Sequence, residues 1–413
     1  MMDSSSKVTV MGLGEFGGGV GVTKWLLRQG VTVCVTDLQD EQALESSIKE
    51  IGNHPNLTYS LGGHVESDFM DIECVVVNPS IPMSKTNPFL EVAKKAGARL
   101  TTEICLLVEQ LPREQIIGVT GSAGKSTTAS MIYAAFEQSG VNAWLGGNIG
   151  GSLLSELGNI QSDDVVILEL SSAMLWWLNQ HNGGWSPHVG VLTNISPNHL
   201  DWHGSFEDYK RCKQVIFKHQ SEDDVAITKC GDERVTNLCV MGKHNEQNAQ
   251  FALTAAKAIG LDADIAKTGI QSFKGLPHRL ERVNSWAVND SKSTTPEATA
   301  FAVDAFEHPE RIRLIVGGYD KKIDLSLLAS LSEKVACMYA IGETRDQIAT
   351  LAGENCKAVD TLDQAIEMAM IDMKPNDSLL LSPGCASWDQ FKNYEERGLQ
   401  FIKRVQSMHC ANE

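Results

Sequence analysis

Residues Gln115–Thr128 read QIIGVTGSAGKSTT. A short apolar run, Ile116–Thr120, enters a glycine loop, and the loop opens a helix at Lys125. That helix carries Ala129, Ile132, Ala135 and Phe136 on one face and stops at Gly140. Strand, glycine loop, Lys, Ser and helix form a phosphate cradle. Gly121 and Gly124 let backbone N–H groups turn inward, Lys125 reaches the β- and γ-phosphates, and the Ser126 hydroxyl can ligate Mg²⁺. In G-x-x-x-x-G-K-[ST] the first glycine would fall at Val119. Here Gly121 lies inside the loop instead. A plain strand-to-helix turn does not account for Gly-Lys-Ser-Thr at the start of an amphipathic helix.

A second glycine turn lies upstream. Val8–Val20 reads VTVMGLGEFGGGV, and Gly12, Gly14 and Gly17 spell G-x-G-x-x-G. Asp37 closes the following strand, about twenty residues on, where a dinucleotide site places its ribose carboxylate. Alone, this half predicts an NAD dehydrogenase. The turn presents backbone N–H groups, however, and can serve any pyrophosphate. A dehydrogenase would leave the second phosphate loop unexplained.

Outward from these loops the chain alternates strands and helices. Strands are expected at Val8–Met11, Val31–Thr36 and Cys74–Asn78, with helices at Gly21–Gln29 and Pro88–Ala96. A second block has strands at Ile116–Thr120, Val165–Leu170 and Val189–Thr193. A third has strands near Arg313–Val316, Met338–Ile341 and Ser378–Leu381. The pattern predicts α/β architecture with parallel sheets. Three domains are expected: Rossmann-like over 1–103, a P-loop ATPase type over 104–275, and Rossmann-like over 276–413. GLPHRLERV, at Gly275–Val283, reads as the junction, with a hinge near Gly275–Pro277.

The 413 residues are 42% hydrophobic and 21% charged, as a globular protein with real cores requires. A net charge of −17 argues against nucleic acid as a partner but not against one nucleotide. No apolar run is long enough to cross a bilayer, so a cytoplasmic protein with no membrane partner is expected. The ten cysteines are scattered with no C-x-x-C pair, so free thiols are expected.

Downstream of the loop, VVILELSS ends a strand in Glu169, a place suited to a Mg²⁺ ligand. His199, Asp201 and His203 lie in VLTNISPNHLDWHG, but no further Cys or His at zinc spacing supports a zinc site. Lys213, in DYKRCKQVIF, reads on its own as a surface helix lysine.

The loop T-G-x-x-G-K-S-T resembles that of the Mur ligase family, the ATP-dependent amide ligases of peptidoglycan assembly. The family usually has Thr and Asn where this chain has Ser122 and Ala123. The resemblance runs along nearly the whole chain, through GGNIG (Gly146–Gly150), ELSS (Glu169–Ser172), GKHNEQNA (Gly242–Ala249), GLPHRLE (Gly275–Glu281), NDSKSTT (Asn289–Thr295), GGYDKKIDL (Gly317–Leu325) and LSPGCASWDQFKNYEERG (Leu381–Gly398). The last three look most like the D-glutamate-adding branch.

This resemblance implies a ligase that adds D-glutamate to UDP-N-acetylmuramoyl-L-alanine through an acyl phosphate, with ATP and Mg²⁺. The alternative is a related ligase adding L-glutamate or another amino acid. It implies ATP contacts at Gly121, Ser122, Gly124, Lys125, Ser126, Thr127, Asn245, Asn248, Arg279 and Asp290. UDP-sugar contacts would come from Glu15, Phe16, Asp37, Leu38, Asn78, Ser80, Asn148 and Ser171. Lys292, Thr294, Lys321, Ser387 and Tyr394 map to the D-glutamate side. Lys125, His199 and Lys213 would be catalytic, and Ser126, Glu169, His199 and Lys213 would face metal. The family carbamylates the Lys at the Lys213 position, which turns a cation into a metal-binding anion. His203 is expected to be structural. Small-molecule substrates and a monomer complete the expectation.

Overall fold

The computed structural model describes residues 4–13, 17–81 and 86–408, without the side chains of Leu200 and Asp201. The chain divides into two compact units. One holds Met1–Thr236 with Gln247–Gln271, and the other holds Asn237–Glu246 with Ser272–Glu413.

The first unit contains two parallel sheets. In the first, β1 (Lys7–Met11), β2 (Thr32–Asp37), β3 (Leu57–Leu61), β4 (Cys74–Val77) and β5 (Arg99–Thr101) lie in the order β3-β2-β1-β4-β5. In the second, β6 (Ile116–Thr120), β7 (Ala143–Gly147), β8 (Val165–Glu169), β9 (Val189–Leu192) and β10 (Val225–Ile227) lie in the order β10-β9-β6-β8-β7. Each order reverses beside a strand that runs into a glycine turn: β1 in the first sheet, β6 in the second. Such a switch point leaves a crevice at the carboxyl ends of the strands, where ligands settle. The central strands are nearly all apolar because both sheet faces are covered. Val8, Val10, Val33, Val35, Ile116, Val166 and Leu168 belong to one continuous core.

The second unit has one six-stranded sheet. Its strands are β11 (Glu281–Arg282), β12 (Ala287–Asn289), β13 (Ile312–Gly317), β14 (Cys337–Ile341), β15 (Cys356–Ala358) and β16 (Ser378–Leu381). The order is β11-β12-β16-β13-β14-β15, parallel except for β11 against β12. The two-residue period of a strand sends Ile315, Tyr339 and Leu381 into one core and Leu314, Val316 and Leu380 into the other. The loops after β12, β13 and β16 share one sheet edge.

Every strand expected from sequence forms, Ile116–Thr120 and Ser378–Leu381 with the expected ends and the others with ends shifted by one residue. Strands β3, β5, β7, β10, β11, β12 and β15 were not anticipated. The helix after the phosphate loop runs Lys125–Ser139 with Gly140 as its left-handed cap, and Ala129, Ile132, Ala135 and Phe136 are buried. The nine described cysteines are free. Among the described residues no helix is long and apolar enough to cross a membrane.

Candidate active site

The phosphate loop leaves β6 between β8 and β9. Gly121 has φ 154° and Gly124 has φ 80°, where L side chains are strained. Both positions are also sterically closed. A Cβ on Gly121 would lie 1.9 Å from Thr193 Oγ1, and one on Gly124 would lie 2.4 Å from Asn248 Oδ1. Lys125 Nζ donates to the Gly121 carbonyl at 3.0 Å and so is folded back over the loop.

Sequence reasoning missed the neighbour that shapes this loop. Ser122 N donates to the Asn194 carbonyl at 3.0 Å, and Ala123 N donates to Asn194 Oδ1 at 2.9 Å. Asn194 Nδ2 returns a bond to the Ala123 carbonyl at 3.0 Å. An Asn side chain thus clamps the loop beside Ala123, from the segment that follows β9. With those two N–H groups spent, donors for a phosphate come from the helix start, where the first N–H groups, those of Ser126 and Thr127 among them, have no partner within the helix.

Glu169 ends β8 and is 1% exposed. Its Oε1 accepts from Asn148 Nδ2 at 2.9 Å, while Oε2 is buried with no hydrogen-bond partner among the described residues. A buried carboxylate oxygen without a donor is costly unless a cation meets it. The site therefore suits a divalent cation, although among the described residues no three His, Cys, Asp or Glu side chains form a ready-made cage.

Lys213 is not a surface lysine. It is 1% exposed on the helix Phe206–Lys218. Its Nζ donates to Thr120 Oγ1 at 3.3 Å and sits 4.8 Å from the Tyr209 ring centre. Burial first, then the charge of Lys125, pushes its ammonium down to about 7, against the opposing pull of Glu169. Burial thus favours the neutral amine. Tyr209, one helical turn before Lys213, is the other residue sequence reasoning missed. Its OH lies 2.9 Å from Ser122 Oγ, and its ring lies 6.3 Å from that of His199. It thus touches the loop, the buried lysine and the histidine. The only signal was its i, i+4 spacing from Lys213.

His199 is exposed with φ 51°, an uncommon backbone for a non-glycine residue. His203 is buried, its Nε2 2.8 Å from Ser172 Oγ. Ser171 caps the helix Ser172–Gln180 by accepting from Met174 N.

In the first sheet, Asp37, Leu38, Asn78 and Ser80 lie at the carboxyl ends of β2 and β4. Asp37 Oδ2 accepts from Leu13 N at 2.8 Å, so this carboxylate holds the backbone just after β1. Leu38 is 71% exposed. Asn78 Oδ1 accepts from both Ser80 N and Ser80 Oγ. Glu15 and Phe16 lie outside the described residues.

In the second unit, Asp290 is 4% exposed and accepts from Ser382 Oγ at 2.7 Å and Leu280 N at 3.1 Å. Burial pushes its carboxyl up to about 6. Arg279 is exposed, and its charge pulls the other way. Asn245 is buried and donates to the Met241 carbonyl. Lys292 Nζ is 5.0 Å from the Tyr394 ring centre. Thr294 is half-buried, Ser387 is buried and Lys321 is exposed. Sequence reading passed over Arg397, which is fully buried. Its guanidinium bonds to Ser291 Oγ and to the carbonyls of Ser291, Cys385 and Ala386. One arginine so ties the Lys292 segment to the Ser387 segment.

Comparison with known proteins places this geometry in a class. Residues 6–102 match the MurD-like N-terminal domain of Mur ligases, 119–275 the Mur ligase middle domain, and 278–385 the Mur ligase glutamate ligase domain. The chain belongs to the Mur ligase family, with its three-domain α/β architecture. It is 31% identical to a UDP-N-acetylmuramoylalanine–D-glutamate ligase of Geobacter metallireducens, over 98% of each chain. It is 31% identical to the enzyme of that name from Staphylococcus saprophyticus, over 98% of this chain and 97% of the other. Among solved structures, the UDP-N-acetylmuramate–alanine ligase of Thermotoga maritima superposes with a TM-score of 0.62 at 17% identity, covering 97% and 99% of the two chains. The MurF ligase of the same organism, solved with ADP, gives 0.58 at 16% identity, covering 98% and 97%.

Proposed function

We propose that this chain is an ATP-dependent ligase that joins D-glutamate to the alanyl carboxylate of UDP-N-acetylmuramoyl-L-alanine in peptidoglycan precursor synthesis. The observation that carries the site reading is the buried, unpartnered Glu169 Oε2 in the strand beside the phosphate loop. Full-length similarity to ligases of that name supports the substrate.

A carboxylate resists attack by an amine because it lacks a leaving group. In the proposed reaction the alanyl carboxylate oxygen attacks the γ-phosphorus of ATP, and the bond to ADP breaks. The D-glutamate amine then attacks the acyl carbon, loses a proton, and expels phosphate as the amide forms. Both steps gather negative charge, so fixed cations and donors supply most of the rate. Lys125, with Gly121, Ser122, Gly124, Ser126 and Thr127, holds the phosphates. Asn245, Asn248, Arg279 and Asp290 complete the ATP site. Glu15, Phe16, Asp37, Leu38, Asn78, Ser80, Asn148 and Ser171 hold the UDP-sugar. Lys292, Thr294, Lys321, Ser387 and Tyr394 take D-glutamate.

Ser126, Glu169, His199 and Lys213 would hold Mg²⁺, which neutralises charge on the transferring phosphoryl group. For Lys213 this needs the carbamate. Its neutral amine attacks CO₂, a nitrogen–carbon bond forms and one proton leaves. The depressed basicity of this buried lysine favours that step. His199 orients the incoming amine. Domain boundaries near 103 and 275, a monomer and a cytoplasmic location fit this role.

The test is phosphate release with ATP, Mg²⁺ and UDP-N-acetylmuramoyl-L-alanine, with D- and L-glutamate supplied separately. Release and amide product with D-glutamate alone are expected. Product with L-glutamate keeps the mechanism and changes the substrate. No release with either overturns the assignment.

A further inference from the structure

Lys321 and Lys322 are adjacent, yet they are held differently. Lys322 Nζ lies 2.6 Å from Asp320 Oδ2, an exposed ion pair. Lys321 Nζ lies 5.5 Å from the ring centre of Trp388, and among the described residues no carboxylate pairs with it. Trp388 is 63% exposed, an unusual place for the largest apolar side chain. Its ring is nonetheless fixed. It packs on Tyr319 at 5.4 Å between centroids, and Tyr319 N donates to the Ala386 carbonyl at 2.9 Å. That same carbonyl is bonded by buried Arg397. The indole therefore stands two residues from a rigid anchor, with one lysine over it.

We infer that Trp388 is a positioning residue for the amino-acid substrate: its indole holds Lys321 in the pose that receives a substrate carboxylate. This rests on the proposed assignment of Lys321 to the amino-acid site.

An aromatic ring can do this where an acid cannot. A carboxylate partner would satisfy the ammonium and would have to be displaced by the substrate, as Asp320 would be at Lys322. A ring attracts the cation without neutralising it. The ammonium has three donors, and the ring engages one side, so donors remain for an incoming carboxylate. The ring also limits the rotamers of a long, flexible side chain before the substrate arrives. Lys292 Nζ also lies over a ring, 5.0 Å from the Tyr394 centre. The matching ligand is an amino acid that carries more than one carboxylate.

The experiment measures KM for D-glutamate, KM for ATP and kcat in the full chain and in W388L, W388F, K321A and W388L/K321A. We expect W388L to raise KM for D-glutamate roughly two- to fivefold, with KM for ATP and kcat unchanged. W388F keeps a ring and is expected to recover most of the loss. In the K321A background, W388L is expected to have no further effect. If K321A raises KM but W388L leaves it unchanged or lowers it, Trp388 does not position Lys321. If W388L disturbs folding and moves KM for ATP as well, W388F with and without K321A decides. An effect of W388F that persists in full without the lysine overturns the inference. If K321A leaves KM for D-glutamate unchanged, the assignment of Lys321 to the amino-acid site fails first.

Discussion

The side-chain amide of Asn148 donates to Glu169 Oε1 at 2.9 Å and leaves the other oxygen, Oε2, buried and unpartnered. Asn148 therefore orients the carboxylate proposed to hold Mg²⁺. Residues that orient a metal ligand are typically worth 10–100-fold in metal affinity or activity. N148A should raise the Mg²⁺ concentration needed for half-maximal turnover by about that factor. A Mg²⁺ titration of phosphate release checks it. A change in KM for the UDP-sugar with no change in Mg²⁺ requirement would assign Asn148 to the sugar alone.

Gly121 has no room for a side chain, since its Cβ would sit 1.9 Å from Thr193 Oγ1. That hydroxyl also donates to the Ala123 carbonyl at 2.6 Å. G121A should push Thr193 aside and open the loop. Nucleotide affinity should fall by more than roughly tenfold, and stability by about 1–3 kcal/mol. Nucleotide titration and denaturant unfolding give the two values. Unchanged nucleotide affinity would mean that the loop conformation does not serve phosphate.

Lys213 should carry a carbamate. With ¹³C-labelled bicarbonate, the native chain should show a carbamate resonance that K213A lacks. Turnover of K213A should fall roughly 10²–10³-fold, the cost of losing one preorganised charge at the reacting phosphate. A resonance that persists in K213A would place the modification elsewhere.

Glu103 should make the first unit sensitive to pH. Its carboxyl accepts from Ser152 Oγ at 2.6 Å, and burial pushes it up from 4.5 to about 7. The folded chain therefore keeps a proton that the unfolded chain sheds above about pH 4.5. Stability from this group is full below that pH and is lost as pH rises towards 7. E103Q mimics the protonated form. It should be more stable than the native chain at pH 8, by about 1–3 kcal/mol, and the gap should close towards pH 4. Thermal midpoints across that range test the sign. A stabilisation independent of pH would mean that the carboxyl is not the cause.

The loop at Gly121–Ser126 was legible because its chemistry is local. Backbone freedom, Lys125 and the Ser126 hydroxyl lie within six consecutive residues, and the helix that follows shows its own period. Glu169 was legible because an apolar strand leads straight to it. The edge strands were not. AWLGG at β7 contains two glycines, and LTYSL at β3 has no fully buried position. Such segments become strands because a neighbour offers a ladder, not through their own preference.

Long-range contacts were hidden for the same reason. Asn194 reaches the loop across 71 residues of chain, and Arg397 reaches Ser291 across 106. Arg397, in YEERGL, has the composition of a solvated helix face. Only packing against the loops after β12 and β16 turns it into a buried clamp.

What the sequence determined by itself was the class of chemistry: two glycine turns, each after a strand, and the polar residues that follow them in order. Residue type and spacing carry that information because a phosphate cradle is built from one short segment. What only the tertiary structure decided was the state of each group. Lys213 is a depressed, buried amine because one helix face meets β6, Glu169 keeps an orphaned oxygen because Asn148 takes the other, and Lys321 lies over an indole while Lys322 is paired. Burial and partnership depend on residues distant in the chain, and they set charge, basicity and orientation, which are the properties the reaction uses.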